Sequence, residues 1–308
     1  VPFRFNKSGE LTFLDNRLPK QDSGLWHSPF ILDEKSNAIY LGMHALYSSL
    51  DYGNTWFPLT ERFKQQFSAI AVSGVKSNII YAGSSKGDLI FTSNFGSTWS
   101  DISSSKFPNR YITDIKTSSK MAGLVYVSFG GYNHSNLFKS LDSGRNWIDI
   151  STKLPNTNIN CIVINPIEEN IILIGTDIGV FVSYNQGEDW FPFGNSLPRS
   201  PILDLVFHKN MIVSPGIVLR AATYGRSIWE IVVPTTPTIQ AQISSPAGGE
   251  ITYTSSNFTL SWTGFNNKVD LYYSLNDGIS WNLIAKDIIS NSLKWKVPFA
   301  SSDQARIK

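Results

Sequence analysis

Apolar residues in this chain fall into short stretches, each bounded by Gly, Asn, Ser or Pro, and no window shows the three-and-four spacing of an amphipathic helix. The stretches come in sets of three. Trp26 to Asp33, Ala38 to Gly42 and Ala45 to Ser48 form the first; Phe67 to Val72, Ile79 to Gly83 and Leu89 to Thr92 the second. Ile112 to Lys116, Leu124 to Phe129 and Leu137 to Ser140 form the third, and Asn160 to Asn165, Ile171 to Gly175 and Val180 to Ser183 the fourth. Ile202 to His208, Val218 to Thr223 and Ser227 to Val232 make a fifth. Val1 to Asn6 and Leu11 to Leu14 precede them, reading as the outer hairpin of a blade. Leu-Pro recurs at Leu18-Pro19, Leu154-Pro155 and Leu197-Pro198, each time ahead of a new set.

A repeated turn closes four of the five sets. It has Ser or Thr first, Asp or Asn third, Gly fifth and Trp eighth: Ser49, Asp51, Gly53 and Trp56; Thr92, Asn94, Gly96 and Trp99; Ser140, Asp142, Gly144 and Trp147; Ser183, Asn185, Gly187 and Trp190. These boxes begin at 49, 92, 140 and 183, a spacing of 43, 48 and 43 residues that suits one four-stranded propeller blade per repeat. The chemistry is that of a hairpin turn. The Asp or Asn side chain accepts backbone N–H groups ahead of it, Gly supplies the positive φ, and Trp buries a large ring where the return strand starts.

The pattern resembles the Asp-box, or BNR repeat, of sialidases, sortilin-type receptors and xyloglucan-active hydrolases. In those families the box lies on the outer edge of each blade, so the resemblance implies a structural role for these carboxylates. Gly175 to Phe181 and Ala221 to Ile231, with Phe129-Gly130-Gly131-Tyr132, are similar to the closing half of the propeller in large extracellular, glycosyl-hydrolase-like or sortilin-like proteins. The expected fold is all-β: an Asp-box propeller over residues 1–233, about five blades visible and part of a larger ring. The fifth set has no box and no fourth strand. Leu11 to Leu14 could supply that strand and close a small ring; blades missing upstream are the preferred alternative.

Val233-Pro234-Thr235-Thr236-Pro237-Thr238 reads as a stiff linker over 234–238, because two prolines fix φ and discourage pairing. Beyond it, over 239–308, Ile239 to Ser244, Phe258 to Trp262, Val269 to Ser274, Trp281 to Ala285 and Leu293 to Val297 alternate as strands of a small β-sandwich. This part resembles fibronectin type III or immunoglobulin-like modules of secreted bacterial proteins. It carries a fifth box at Ser274, Asn276, Gly278 and Trp281. The chain lacks an initiator Met and a signal peptide and ends inside what reads as a strand, so a piece of a longer extracellular or cell-surface protein is expected.

Composition narrows the chemistry. A net charge of +2 gives no electrostatic case for nucleic acid, and no apolar run is long enough for a membrane-spanning helix. Cys161 is the one cysteine, which excludes an internal disulfide and reads as a packed thiol. The four histidines lack metal-ligand spacing, and we expect neither metal nor cofactor.

A glycosidase needs two carboxyl groups roughly 5–9.5 Å apart. Outside the boxes the acidic residues include Asp33, Asp114, Asp204, Glu168 and Glu169; Asp114 and Asp204 occupy equivalent inner strands and are the catalytic candidates. No sialidase arginine triad or Arg-Ile-Pro motif is present. For binding, loop aromatics beside polar groups suit sugars, which stack on rings and need hydrogen bonds. Trp26 and His27, Tyr132 and His134, and Tyr224 and Arg226 fit. Asn133-His134-Ser135 and Asn257-Phe258-Thr259 match glycosylation acceptors. Three functions are therefore expected in order: an extracellular binding or scaffolding propeller for a carbohydrate or protein ligand, a xyloglucanase-like hydrolase, and a sortilin-like peptide receptor.

Overall fold

The structure, a computed structural model, describes the chain apart from residues 1–2, 6–7, 15–17, 195–196, 214–215, 235–241, 247–248 and 264–267. It divides into two compact units, Val1–Thr236 and Pro237–Lys308. Every regular element among the described residues is a strand.

In the first unit β1 (Phe3–Phe5) and β2 (Leu11–Phe13) form a hairpin ahead of five propeller blades. Blade I is β3 (Phe30–Asp33), β4 (Ala38–Gly42), β5 (Leu46–Ser49) and β6 (Phe57–Pro58); blade II is β7 (Phe67–Val72), β8 (Ile80–Ser84), β9 (Leu89–Thr92) and β10 (Ser100–Asp101). Blade III is β11 (Ile112–Thr117), β12 (Val125–Phe129), β13 (Leu137–Ser140) and β14 (Ile148–Asp149); blade IV is β15 (Ile159–Ile164), β16 (Ile172–Thr176), β17 (Gly179–Ser183) and β18 (Phe191–Phe193). Blade V is three-stranded: β19 (Ile202–Val213), β20 (Gly216–Thr223) and β21 (Ile228–Pro234). Each blade is an antiparallel meander in sequence order.

One open alternative falls away and two expectations change. Leu11 to Leu14 does not complete blade V, because the short connection favours local pairing and sets Phe3 opposite Phe13. Trp26 to Pro29 is not strand; β3 starts at Phe30, after a proline that has no N–H to donate, although the Pro29 carbonyl still accepts Gly42 N–H at 2.9 Å. Pro234 is the last residue of β21, opposite Gly216, a strand-end position that needs no ladder donor. The rest of the expected linker lies outside the described residues, as does Ile239.

The blades dock through one repeated fit. The inner strands of blades II to V each open on a large residue that is almost wholly buried: Phe67, Ile112, Ile159 and Ile202. Three of the four sit against a glycine in the preceding blade. A Cβ on Gly42 would come within 2.9 Å of Phe67, one on Gly83 within 2.8 Å of Ile112, and one on Gly175 within 2.7 Å of Ile202. Straight after that residue each inner strand bulges, between Phe67 and Ala69, Ile112 and Asp114, Ile159 and Cys161, and Ile202 and Asp204.

The boxes fasten the same blades at their outer edge. In blade III the Ser140 hydroxyl donates to Asp142 Oδ1 at 2.8 Å and accepts Gly144 N–H at 2.8 Å, while Asp142 accepts the Asn146 N–H at 2.9 Å. The Trp147 indole N–H then reaches back to the Ile102 carbonyl at 2.9 Å, just past the outer strand of blade II. Trp99 does the same to Leu59 at 2.8 Å and Trp190 to Ile150 at 2.8 Å. Phe107, from the loop entering blade III, completes the packing 5.1 Å from the Trp147 ring.

In the second unit β22 (Gln242–Ser245), β23 (Asn257–Thr263) and β26 (Ser292–Lys296) form one sheet, and β24 (Val269–Ser274), β25 (Asn282–Ile288) and β27 (Arg306–Ile307) the other. Leu260 and Trp262 from the first meet Val269 and Leu271 from the second. Its box makes the same internal bonds, Gly278 N–H to Ser274 Oγ at 2.9 Å and Ser280 N–H to Asn276 Oδ1 at 2.9 Å. Here the Trp281 ring carries Lys308 Nζ 4.3 Å from its centroid.

Two outcomes follow from the box geometry. Gly144 has φ +93°, and a Cβ there would lie 2.4 Å from Ile102 Cδ1. Gly144→Val is therefore expected to cost roughly 3 kcal/mol in urea denaturation, from backbone strain and overpacking together, and wild-type stability would contradict the fit. The hydrogen bonds of Asn146, side chain first and then backbone, hold the Asp142 carboxyl down to about 2. A depressed folded-state value adds stability above the ordinary carboxylate range and loses it as pH falls toward 2. Asp142→Asn, with Asn94 and Asn185 already serving at the same position, should fold normally and lose melting temperature less steeply between pH 4 and pH 2.

Candidate functional site

Strands alternate in direction within a blade, so the connections after the second and fourth strands share one rim, and those after the first and third, boxes included, share the other. The loop aromatics named from sequence all fall on the rim opposite the boxes. There the loop between β12 and β13 meets two segments of blade IV. Gly131 N–H donates to Asn158 Oδ1 at 2.6 Å, and Asn133 N–H to Asn156 Oδ1 at 2.6 Å. Asn156 Nδ2 returns a bond to Asn133 Oδ1 at 2.5 Å. The Tyr132 hydroxyl donates to Asp177 Oδ2, while Asn160 Nδ2 donates to Asp177 Oδ1 at 3.0 Å and Asn158 Nδ2 to Asn160 Oδ1 at 2.5 Å.

Local sequence explains this placement. Asn156 and Asn158 lie just before β15 and Asn160 just inside it, and their amides reach the β12–β13 and β16–β17 loops. Asn160 is also the extra residue of the β15 bulge. Asn133 adopts φ 61°, a conformation asparagine tolerates well. Tyr132 keeps 48% of its surface exposed, and its bond to Asp177 pushes the phenol up, so it stays protonated as a donor. His134 stands exposed beside this network.

The catalytic candidates sit elsewhere, at the inner-strand bulges. Asp114 pairs in register with Ser128, and Asp204 with Ala222, so the two occupy the same slot of blades III and V. Cys161 fills it in blade IV and is buried. Asp114 is fully engaged: Oδ1 accepts Ile115 N–H at 2.8 Å and faces Lys116 Nζ at 3.1 Å, and Oδ2 accepts Ile162 N–H of blade IV at 2.9 Å. Burial pushes this carboxyl up, against the pull of Lys116 and the two N–H donors. Burial opposes the Lys116 ammonium too, but Asp114 outweighs it and raises that group. The side chains remain reachable by water, Lys116 41% and Asp114 16% exposed. Burial, then the charges of Asp114 and Asp204, push the Cys161 thiol up and leave it un-ionised. Asp204 accepts the Leu205 N–H at 2.8 Å and is exposed.

The remaining acidic residues build turns. Asp33 accepts Lys35 N–H at 3.2 Å and Ser36 N–H at 3.3 Å. Glu169 accepts the Ser119 N–H at 2.7 Å, tying a turn of blade IV to blade III, and Glu168 is half-buried in the same turn. Among the described residues no three His, Cys, Asp or Glu side chains gather as metal ligands.

The binding candidates do not form one site. Trp26 is 95% exposed before blade I, its ring 6.5 Å from and edge-on to His27. Tyr224 and Arg226 are exposed in the loop between β20 and β21, where the Tyr224 carbonyl accepts the Ser200 hydroxyl at 2.8 Å and the Arg226 carbonyl accepts the Trp229 indole at 2.7 Å. Of them only Tyr132 belongs to a built network, with His134 exposed beside it. Its other members, Asn156, Asn158, Asn160 and Asp177, escaped sequence reasoning, although the every-other-residue asparagines were a usable signal.

No family model and no curated protein matches this chain. Its fold is similar to that of a Niastella koreensis GH74 enzyme, with TM-score 0.50 and 16% identity over 68% of this chain and 38% of that one. An ancestral GH74 enzyme gives TM-score 0.50 and 16% identity over 89% and 39%, and Chaetomium thermophilum Raptor TM-score 0.50 and 11% over 68% and 20%. The chain thus spans less than two fifths of each of these proteins.

Asp114→Asn leaves one buried N–H facing a donor and Lys116 without its counter-charge. It is expected to destabilise by about 1–3 kcal/mol in chemical denaturation. Asp204→Asn should stay within about 0.5 kcal/mol. Equal losses would contradict this division of roles.

Proposed function

We propose that this chain is the binding propeller of an extracellular protein, that it recognises carbohydrate on the rim of blades III and IV, and that its boxes are structural. The observation that carries the reading is the Tyr132–Asp177–Asn160–Asn158 network. It offers an exposed aromatic face beside amide and carboxylate groups already held in place, the combination that sugar rings and hydroxyls require. Preorganisation favours binding because little side-chain freedom is left to lose. The two GH74 enzymes of similar fold make a polysaccharide a reasonable ligand class.

A second reading is hydrolysis, favoured by one observation: Asp114 and Asp204 hold the same register slot beside the bulges of β11 and β19. The engagement of both Asp114 oxygens weighs against it, since a nucleophile or base needs a free lone pair toward the substrate.

Incubation with a panel of plant and microbial polysaccharides, following both retention and reducing-end release, separates the readings. Binding without release is expected, and Tyr132→Ala should weaken it about tenfold, roughly 1.4 kcal/mol, at unchanged melting temperature. Release that disappears in Asp204→Asn would establish the hydrolase instead.

A further inference from the structure

Behind the Asn133–Asn156 clamp lies a cavity of about 250 Å³. Its walls combine the apolar Leu154 and Pro155 with the polar Asn133, His134, Asn136 and Asn156. Each wall residue but one is fixed by the fold. Asn136 is buried, with Nδ2 donating to the Thr157 carbonyl at 2.8 Å and its own N–H donating to Ser151 Oγ at 3.3 Å. Leu154 N–H donates to the Ser151 carbonyl at 2.9 Å, closing the turn that carries Pro155. Asn133 and Asn156 hold one another through two bonds. His134, exposed at the edge, is the remaining one.

Two properties select the occupant. No Lys, Arg, Asp or Glu lines the cavity, so an anionic or cationic ligand would give up hydration with no counter-charge to replace it. A neutral, hydroxyl-rich ligand instead meets amide, hydroxyl and imidazole groups that both donate and accept. The volume is below the roughly 300–1,000 Å³ typical of drug-sized ligands, which suits one ring rather than a chain passing through. We infer that this cavity is a subsite for a single uncharged sugar ring, entering as a terminal or branch residue of the carbohydrate bound at the rim. This rests on the rim reading given above and adds to it the charge class and the end-on mode of entry.

Saturation-transfer NMR with D-glucose, D-glucuronate and D-glucosamine on the intact chain tests it, because the three share a ring and differ chiefly in charge. D-Glucose is expected to give transfer at least fivefold stronger than either charged sugar. His134→Ala and Asn156→Leu are each expected to lower that transfer at least threefold. His134→Ala removes an exposed side chain, so its fold should survive even if Asn156→Leu proves unstable. Stronger transfer to D-glucuronate or D-glucosamine, or D-glucose transfer unchanged in His134→Ala, would overturn the subsite. If polysaccharide retention persists while either of those results is found, the subsite fails and the rim reading stands. If retention is absent and no sugar gives transfer, both fail.

Discussion

The structure depends on a single contact repeated from blade to blade: a Trp indole N–H bonded to the carbonyl just past the preceding blade's outer strand, with the box turn packed on that same residue. A lone antiparallel meander is only marginally stable in water, since half its apolar surface faces nothing. From blade I to blade IV the box at the outer edge and the buried first residue of each inner strand fix two ends of an interface; blade V, which has no box, docks through Ile202 and its core. The cores of neighbouring blades close, as in the cluster joining Val163 and Leu173 of blade IV to Leu205 and Leu219 of blade V. Hydrogen bonds worth about 1 kcal/mol each would not hold a ring alone. Their effect is to set register, so that the apolar contacts fall in place.

Rigid stacking has a consequence for chemistry. Loops from adjacent blades emerge at fixed spacing on the rim away from the boxes, and side chains from different repeats can then share a network. Asn133 of blade III and Asn156 of the segment entering blade IV pair because their backbones are already held. At the inner bulges the same stacking has the opposite effect. Asp114 spends one oxygen on the next blade's Ile162 N–H, which ties blade III to blade IV.

Repetition is what made the fold legible. Ser140, Asp142, Gly144 and Trp147 each do a job that residue chemistry predicts, and four copies 43 to 48 residues apart showed where strands begin and end. Strand ends were less legible where proline was involved: Pro29 delays β3, whereas Pro234 is accommodated at the end of β21. The site was only half legible. Tyr132 and His134 stood out as loop residues, but Asp177 lies far away in sequence and is brought to Tyr132 by blade packing alone. Asn156, Asn158 and Asn160 carried a local signal, their alternation, which resembles any polar strand edge until a partner loop is known.

Hydrogen exchange of the backbone, with and without a retained polysaccharide, tests most directly the claim that this propeller binds at the rim of blades III and IV. The account predicts new protection confined to residues 130–136, 154–160 and 176–178, with strands 112–117 and 202–208 unchanged. Protection centred on those inner strands, with the rim loops unaffected, would contradict it and place the ligand at the Asp114 and Asp204 bulges.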